Sequence, residues 1–590
     1  MRIAVLLAIA LSAFAQENAR GPLYENFLAA DALLGRVSSA TGEAPAHTID
    51  ARGVLRDESH PKHFGDFSEE PLRVQLAVNA ALHVALHVEG EEKPAHVVVS
   101  DRAEIVEGAD EAGPLRAIVA KLDPLFVLDV VRNDRRNLQL VDHTLLFAAR
   151  DGMWRIHVDG ETNLLDSLET AVAHDQYGDL TLTIRYEQWR DRGGFRFPSR
   201  ITATLGGRPQ VSFDVLSVSP SANVPAVARE KGDHAIAGDA ISFRELAPHL
   251  FSIDLAATNS RVIIAEFGDF VMVIEGAYDS RNGDLLADRI RERFKKPIRY
   301  FSFSHIHGQY AGSTRSFIAR DATIVTTKTG AEAVRNMAAS RHRYRPDALM
   351  RKTVPAKIEE VAASRTIEDA TNAVTLFNVE SQHTDDYLIF YFPRQRVLLS
   401  GDLFCLRETQ PLRGRSIKFC ETVKSLGIAV DTIVITWPLA EYGCAPVVKA
   451  EDFAKGCAAV KATVLFLCPY GGAKSVIAAS YFNRLAEQQK LPFEAIAAAA
   501  EEPYAAVPPP VADFLEKDGF SVRTFHPRHV DAADFANARK VVSIDCDLSK
   551  LDSHGATIER WDDVPKVSAD LPGSVAAIRK HVEELVETLK

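Results

Sequence analysis

The sequence has no cysteine before Cys405, no excess of basic residues, and no long apolar run after its first fifteen residues. Lys and Arg number 68 against 80 Asp and Glu, for a net charge of -12. A protein that neutralises nucleic-acid phosphates needs the opposite balance, so nucleic acid is not an expected partner. A bilayer-spanning helix needs roughly 20 apolar residues in a row, so no integral membrane segment is expected. The composition is 46% hydrophobic and 25% charged, with 33 Gly and 28 Pro, which excludes disordered, collagen-like and coiled-coil chains. No internal repeat is present. At roughly 100–200 residues per domain, 590 residues predict a multidomain protein.

What is there begins with an address. Arg2 precedes an apolar run from Ile3 to Phe14 that ends in Ala13-Phe14-Ala15. A positive start, a compact hydrophobic stretch and an A-x-A end predict a signal peptide over 1–15, cut after Ala15, and a periplasmic or secreted product. An exported chain meets oxidising conditions, so Cys405, Cys420, Cys444 and Cys457 are candidates for pairing. Spacing alone assigns no connectivity, and buried free thiols stand as the alternative.

Residues 16–229 turn from helical to strongly β in pattern. Leu180, Leu182, Ile184 and Tyr186 alternate with polar neighbours, and Gly193-Gly194 and Gly206-Gly207 fall between such runs as hairpin turns. The pattern predicts an α+β domain built on a curved antiparallel sheet. In architecture it resembles the periplasmic lipoprotein carriers, which implies room for an apolar ligand. Pro, Ala, Gly and charged residues without periodicity then mark a linker from Ser219 to about Asp239. Strands return at Arg261–Phe267, Val271–Ile274 and Ile298–Ser304, with a helical pattern over Leu285–Phe294 before the last of these.

Two histidines, His305 and His307, leave the end of that strand in Ser304-His305-Ile306-His307-Gly308-Gln309-Tyr310-Ala311-Gly312. His383 follows in Gln382-His383-Thr384-Asp385-Asp386, and Asp402 in Gly401-Asp402-Leu403-Phe404, each beside a short apolar strand. Three neutral imidazoles with an open fourth position are the ligand set of a catalytic zinc. A nearby carboxylate can orient the bound water or complete the shell.

From Leu246 to Lys455 these residues resemble the metallo-β-lactamase-fold hydrolases. His305, His307 and Gly312 meet the family's H-x-H-x-D-H-x-G, His383 stands at its third histidine, and Asp402 at its bridging aspartate. The resemblance implies an αββα domain over 240–455 with Zn²⁺ on His305, His307 and His383. Gln309 and Tyr310 replace the motif's aspartate and next histidine, and Trp437 to Gly443 supplies no last histidine. The second-metal ligands are therefore missing, and one zinc per chain is expected.

The third segment, 461–590, opens with the apolar run Thr463–Leu467, then Cys468-Pro469-Tyr470-Gly471-Gly472-Ala473-Lys474-Ser475 and a helix from Val476 to about Gln489. A strand, a glycine loop and a helix start favour an anion, and favour a thiolate at Cys468. The pattern resembles the low-molecular-weight tyrosine phosphatase and arsenate reductase family, whose loop reads C-x5-R-S. That resemblance implies an α/β domain on a parallel sheet and a phosphate-like oxyanion as ligand. Cys468 would be nucleophile, Ser475 the supporting hydroxyl, Asp563 or Asp562 the general acid, and Cys546 would fall near a resolving cysteine. Lys474 stands where the family has arginine, which keeps the charge but loses the planar two-donor fork.

The expected function is an exported hydrolase with zinc-activated water attacking an ester or related carbonyl of a small-molecule substrate. Two alternatives stand beside it: thiol chemistry at Cys468, or a non-catalytic binding protein with both sites degenerate.

Overall fold

The computed structural model describes residues 22–590 except 44–45, 58–60, 64, 80–83, 89–95, 100–103, 108–117, 136–137, 150, 221–240, 408–411, 413, 440–442, 459–461, 524, 549–550, 554 and 590. The signal segment 1–15 and nearly all of the expected linker lie outside the described residues. The chain forms two compact units, Met1–Gly401 with Thr436–Glu441, and Asp402–Ile435 with Tyr442–Lys590.

In the first unit, the alternating pattern of the N-terminal segment becomes an antiparallel sheet of 12 strands among the described residues. Chain neighbours pair along it except Glu104–Glu107 and Gln139–Val141, which form its two edges, and the first strand, His47–Asp57, lies between Ser68–Val78 and the last strand, Arg208–Ser219. One face is buried, as period-two alternation requires: Leu182, Ile184 and Tyr186 are enclosed while Arg185 and Glu187 are exposed. The helix Pro22–Thr41 supplies Ala30, Leu33, Leu34 and Val37, an i, i+3, i+4, i+7 stripe, to the same core. A second helix, Pro124–Asn133, adds Leu125, Phe126 and Leu128. Asp123 caps it by accepting from the Leu125 N–H at 2.8 Å, and its other oxygen meets His47 Nε2 at 2.9 Å. The sheet face where an apolar ligand was expected is thus packed with helix side chains.

Five further strands, from Leu250–Leu255 to Thr323–Thr326, with the edge strands Arg244–Ala247 and Lys357–Glu360, make a sheet of 7 in chain order, antiparallel at first and parallel from Val271–Ile274 onward. The helix Ser280–Phe294 packs Leu286, Ala287 and Ile290 onto it in the same core as Ile253, Val262 and Val273. A second antiparallel set runs Ser364–Glu368, Ala373–Val379, Tyr387–Phe392 and Val397–Gly401. Every residue of Tyr387–Phe392 is buried, so this strand is covered on both faces.

The N-terminal sheet meets this central fold through its hairpin tip at His174–Gly178. Asp179 accepts from the Arg343 N–H at 2.7 Å and its own N–H donates to the Arg341 carbonyl at 2.7 Å. Gly178 has φ +80, and a Cβ there would stand 2.5 Å from the Arg341 carbonyl oxygen, so only glycine fits. Burial, reinforced by the charge of Asp279, pushes the Asp175 carboxyl up to about 7. Burial pushes His174 down to about 4, helped by the positive charges of His342 and Arg208.

The two groups act on stability in opposite directions. Folded Asp175 keeps a proton that the unfolded chain releases, so its contribution is full below the ordinary value of 3.8 and is lost as pH rises to about 7. Folded His174 refuses a proton that the unfolded chain takes, so its contribution is full above 6.5 and is lost as pH falls toward about 4. Asp175→Asn is therefore expected to raise the melting temperature at pH 8 by a few degrees, with the gain vanishing toward pH 4. Melting curves across that range check this; a gain independent of pH would contradict it.

In the second unit the strands Phe493–Ala499, Ala462–Cys468, Ala538–Ile544 and Ile558–Trp561 form a parallel sheet in that order. The final helix, Leu571–Thr588, buries Val575, Ile578, Val582 and Leu585, the stripe expected from their spacing. Disulfides join Cys405 to Cys444 and Cys420 to Cys457, leaving Cys468 and Cys546 as buried free thiols.

Candidate metal centre

The strand Ile298–Ser302 is parallel to its neighbours on both sides, and the chain leaves its carboxyl end through Phe303 and Ser304. His305 and His307 follow at 2% and 1% exposure, and His307 begins the short helical turn Gly308–Ala311. For neutral rings the hydrogen bonds set the tautomers. His307 Nε2 lies 3.3 Å from the Pro61 carbonyl oxygen, which can only accept, so Nε2 carries the hydrogen. His307 Nδ1 is then an acceptor, and His305 Nε2, at 2.8 Å, donates to it. His305 Nδ1 is left to accept from the Ser304 hydroxyl at 2.9 Å. Tyr387 stacks on the His305 ring at 4.7 Å and Tyr310 packs against it at 4.5 Å, which holds the imidazole in place.

His383 sits on the turn before strand Tyr387–Phe392. The Ser381 hydroxyl accepts from the His383 and Thr384 N–H groups at 3.3 and 3.0 Å and donates to the Thr384 carbonyl at 2.8 Å. Asp386 closes the turn from the other side, accepting from the Thr327 hydroxyl at 2.6 Å and the Thr329 N–H at 3.0 Å. The His383 ring centre lies 4.9 Å from that of His305 and 4.7 Å from that of His307. Asp402 is placed by covalent continuity with strand Val397–Gly401. Gly401 has φ +61, and a Cβ there would stand 1.9 Å from Tyr387 Oη, so the strand must turn on a glycine. Asp402 is 4% exposed, and its Oδ2 pairs with Arg415 Nη1 at 3.3 Å.

The structure therefore brings together His305, His307, His383 and Asp402, with one ligand atom from each lying within 4.8 Å of the others. Three imidazole nitrogens and a carboxylate oxygen form a donor set suited to zinc. At Zn–N bonds of ~2.0–2.1 Å a tetrahedral edge is ~3.3 Å. The 2.8 Å between His305 Nε2 and His307 Nδ1 would widen by only a fraction of an ångström. His305 would also move its proton to Nδ1 and donate to the Ser304 oxygen, a neighbour already in place. The residues fit the ion.

One supporting residue has no counterpart in the sequence reading. Glu275, 1% exposed and with φ +64, follows strand Val271–Ile274. Its Oε2 accepts from the Ser304 N–H at 3.0 Å and its Oε1 from the Thr436 hydroxyl at 3.2 Å. It anchors the residue from which the two histidines project. Its signal was slight: one acid between a wholly apolar strand and Gly276. Tyr310 is a buried aromatic wall, and Gln309 lies half-buried on the same turn. Tyr442 lies outside the described residues.

In the second unit Cys468 ends its strand with Sγ 3.1 Å from Ser475 Oγ, at the start of helix Lys474–Gln488. The helix begins two residues earlier than expected. Lys474 is buried, and its Nζ donates to Asp545 Oδ2 and to the Val564 carbonyl, both at 2.9 Å. Two of its three donors are thereby engaged. Asp563 pairs with His581 Nε2 at 2.8 Å, and that hydrogen bond holds its carboxyl below the usual carboxylate range, where it gives up rather than stores a proton. Asp562 pairs with Arg560 at 3.0 Å. Burial pushes the Cys546 thiol up.

No protein-family model matches the sequence, and no curated protein matches it. Among solved structures, the chain is similar to a metallo-β-lactamase from Pseudomonas aeruginosa in its mono-zinc form, at 15% identity and a TM-score of 0.29, covering 37% of this chain and 93% of that one. It is similar to the metallo-β-lactamase from Pontibacter korlensis at 12% identity and a TM-score of 0.28, covering 37% and 97%. A third, from Hirschia baltica, stands at 14% identity and 0.28, covering 37% and 96%. What the site can do follows from its own side chains.

Proposed function

We propose that the chain is an exported metal-dependent hydrolase with one zinc ion on His305, His307 and His383, acting on an ester or related carbonyl of a small molecule. The observation that carries this reading is the convergence of three imidazoles and the Asp402 carboxylate within 4.8 Å. Bound there, zinc would supply a water acidified toward a pKa of ~7 and a Lewis acid for the carbonyl. The chain's own residues do the rest. Asp402 accepts a hydrogen from the attacking water and so orients it, with Arg415 balancing its charge. Ser304 holds His305 through the outer nitrogen, and the near-complete burial of His305 and His307 keeps bulk water from competing. Export is supported by the first fifteen residues and by two disulfides, which persist in oxidising compartments.

A second reading rests on Cys468 beside Ser475 at a helix start, where thiol attack on a phosphate-like oxyanion would take place. One experiment separates the two. The purified protein is assayed on aryl esters, thioesters, lactams and a phosphate monoester, after chelation and again after zinc is restored. Ester or lactam turnover is expected to vanish with chelation and return with one equivalent of zinc. Turnover of the phosphate ester alone, insensitive to chelation and abolished by Cys468→Ser, would move the chemistry to the second unit.

A further inference from the structure

The central fold does not hold its histidines alone. Two parts of the N-terminal sheet reach the loops that carry them. From the connection after the first strand, the Pro61 carbonyl accepts from His307 Nε2 at 3.3 Å, and the Lys62 carbonyl accepts from the Asp385 N–H at 3.1 Å. The next residue, His63, places Nδ1 3.0 Å from Asp385 Oδ2 and Nε2 3.5 Å from Glu332. From the hairpin tip between Leu165–His174 and Gly178–Asp191, Gln176 Nε2 donates to the carbonyl of Ile306, the residue between two of the ligands, at 3.3 Å. That tip is itself stiffened, because His174 Nδ1 accepts from the N–H groups of Gln176 and Tyr177 at 3.2 and 3.3 Å.

These contacts fall on the partners that govern a metal site from outside. The far nitrogen of a ligating histidine fixes which nitrogen is free for the metal, and a carbonyl on it raises the ring's basicity. The Pro61 carbonyl does this for His307. Gln176 fixes the peptide that sets the separation of His305 and His307. The Lys62 and His63 contacts fix the turn two residues beyond His383. All three imidazoles are thus tied, from one side, to a domain that contributes none of the four ligands.

We infer that the N-terminal sheet supplies the outer shell of the metal centre, with His63 and Gln176 as positioning residues and the Pro61 carbonyl as the group that orients His307. The inference rests on the zinc reading above. It gives the sheet, whose inner face is filled by its own helices, a role in the chemistry of the neighbouring fold.

The test measures zinc dissociation constants by competition with a chromophoric chelator, on the full chain, for wild type, His63→Ala, Gln176→Ala, the double variant and His63→Asn. His63 is a partly exposed side chain and Gln176 is half-buried, so the metal-free melting temperature is expected to stay put in every variant. The double variant is expected to bind zinc about tenfold more weakly. His63→Asn, whose amide can stand toward Asp385 where Nδ1 stands, is expected to recover the share lost in His63→Ala. An unchanged constant in the double variant, a loss that His63→Asn does not repair, or a loss matched by a falling metal-free melting temperature would each overturn the inference. A wild-type protein that takes up no zinc would refute the zinc reading itself and carry this inference down with it.

Discussion

His305→Ala is expected to leave the protein with less than about a tenth of its zinc, while Gln309→Ala keeps nearly all of it. A three-histidine site that loses one imidazole retains too few donors to compete with water. His305 is also held between Tyr387 and Tyr310 and on the Ser304 hydroxyl. Gln309 is half-buried on the turn after His307, and its side-chain amide is a poor zinc donor beside an imidazole. Metal content after gel filtration reads the difference directly. Equal losses from both variants would mean that ligation is not organised around the first-metal histidines.

Glu275→Ala is expected to cost about 3 kcal/mol of stability and to weaken zinc binding by roughly 10–100-fold. Removing the carboxyl leaves the Ser304 N–H and the Thr436 hydroxyl without this acceptor in a place water does not reach. The backbone at φ +64 is as unfavourable for alanine as for glutamate, so the change isolates the carboxyl. Glu275→Gln keeps one acceptor oxygen and should fall between the two. Urea unfolding gives the first number and zinc competition the second. A stability loss with unchanged zinc affinity would make Glu275 a core residue only, with no hold on the histidine loop.

The four converging residues were legible because their information is local. An x between two histidines at a strand end, a histidine before an apolar strand and a Gly-Asp after another can all be read within a few residues. The strands beside His383 and Asp402 are legible for the same reason, since Tyr387–Phe392 is a continuous apolar run and Val397–Gly401 opens with three apolar residues. Glu275 lies 29 residues from the Ser304 it supports, and Pro61 lies 246 from His307. No local pattern encodes such contacts. The insertion of the first strand between the second and the twelfth is invisible for the same reason, because alternation specifies a buried face and not a neighbour. Cysteine pairing likewise needed the fold. At Lys474 the residue type was plain, but the direction of a flexible chain toward Asp545 was not.

The most direct test of the account is an anomalous difference map at the zinc edge from crystals of the zinc-loaded full-length protein. One strong peak is expected, bonded to His305 Nε2, His307 Nδ1 and a nitrogen of His383, with a carboxylate oxygen of Asp402 beside it. A second peak of equal strength toward Gln309 and Tyr310, or no peak among the three histidines, would contradict it.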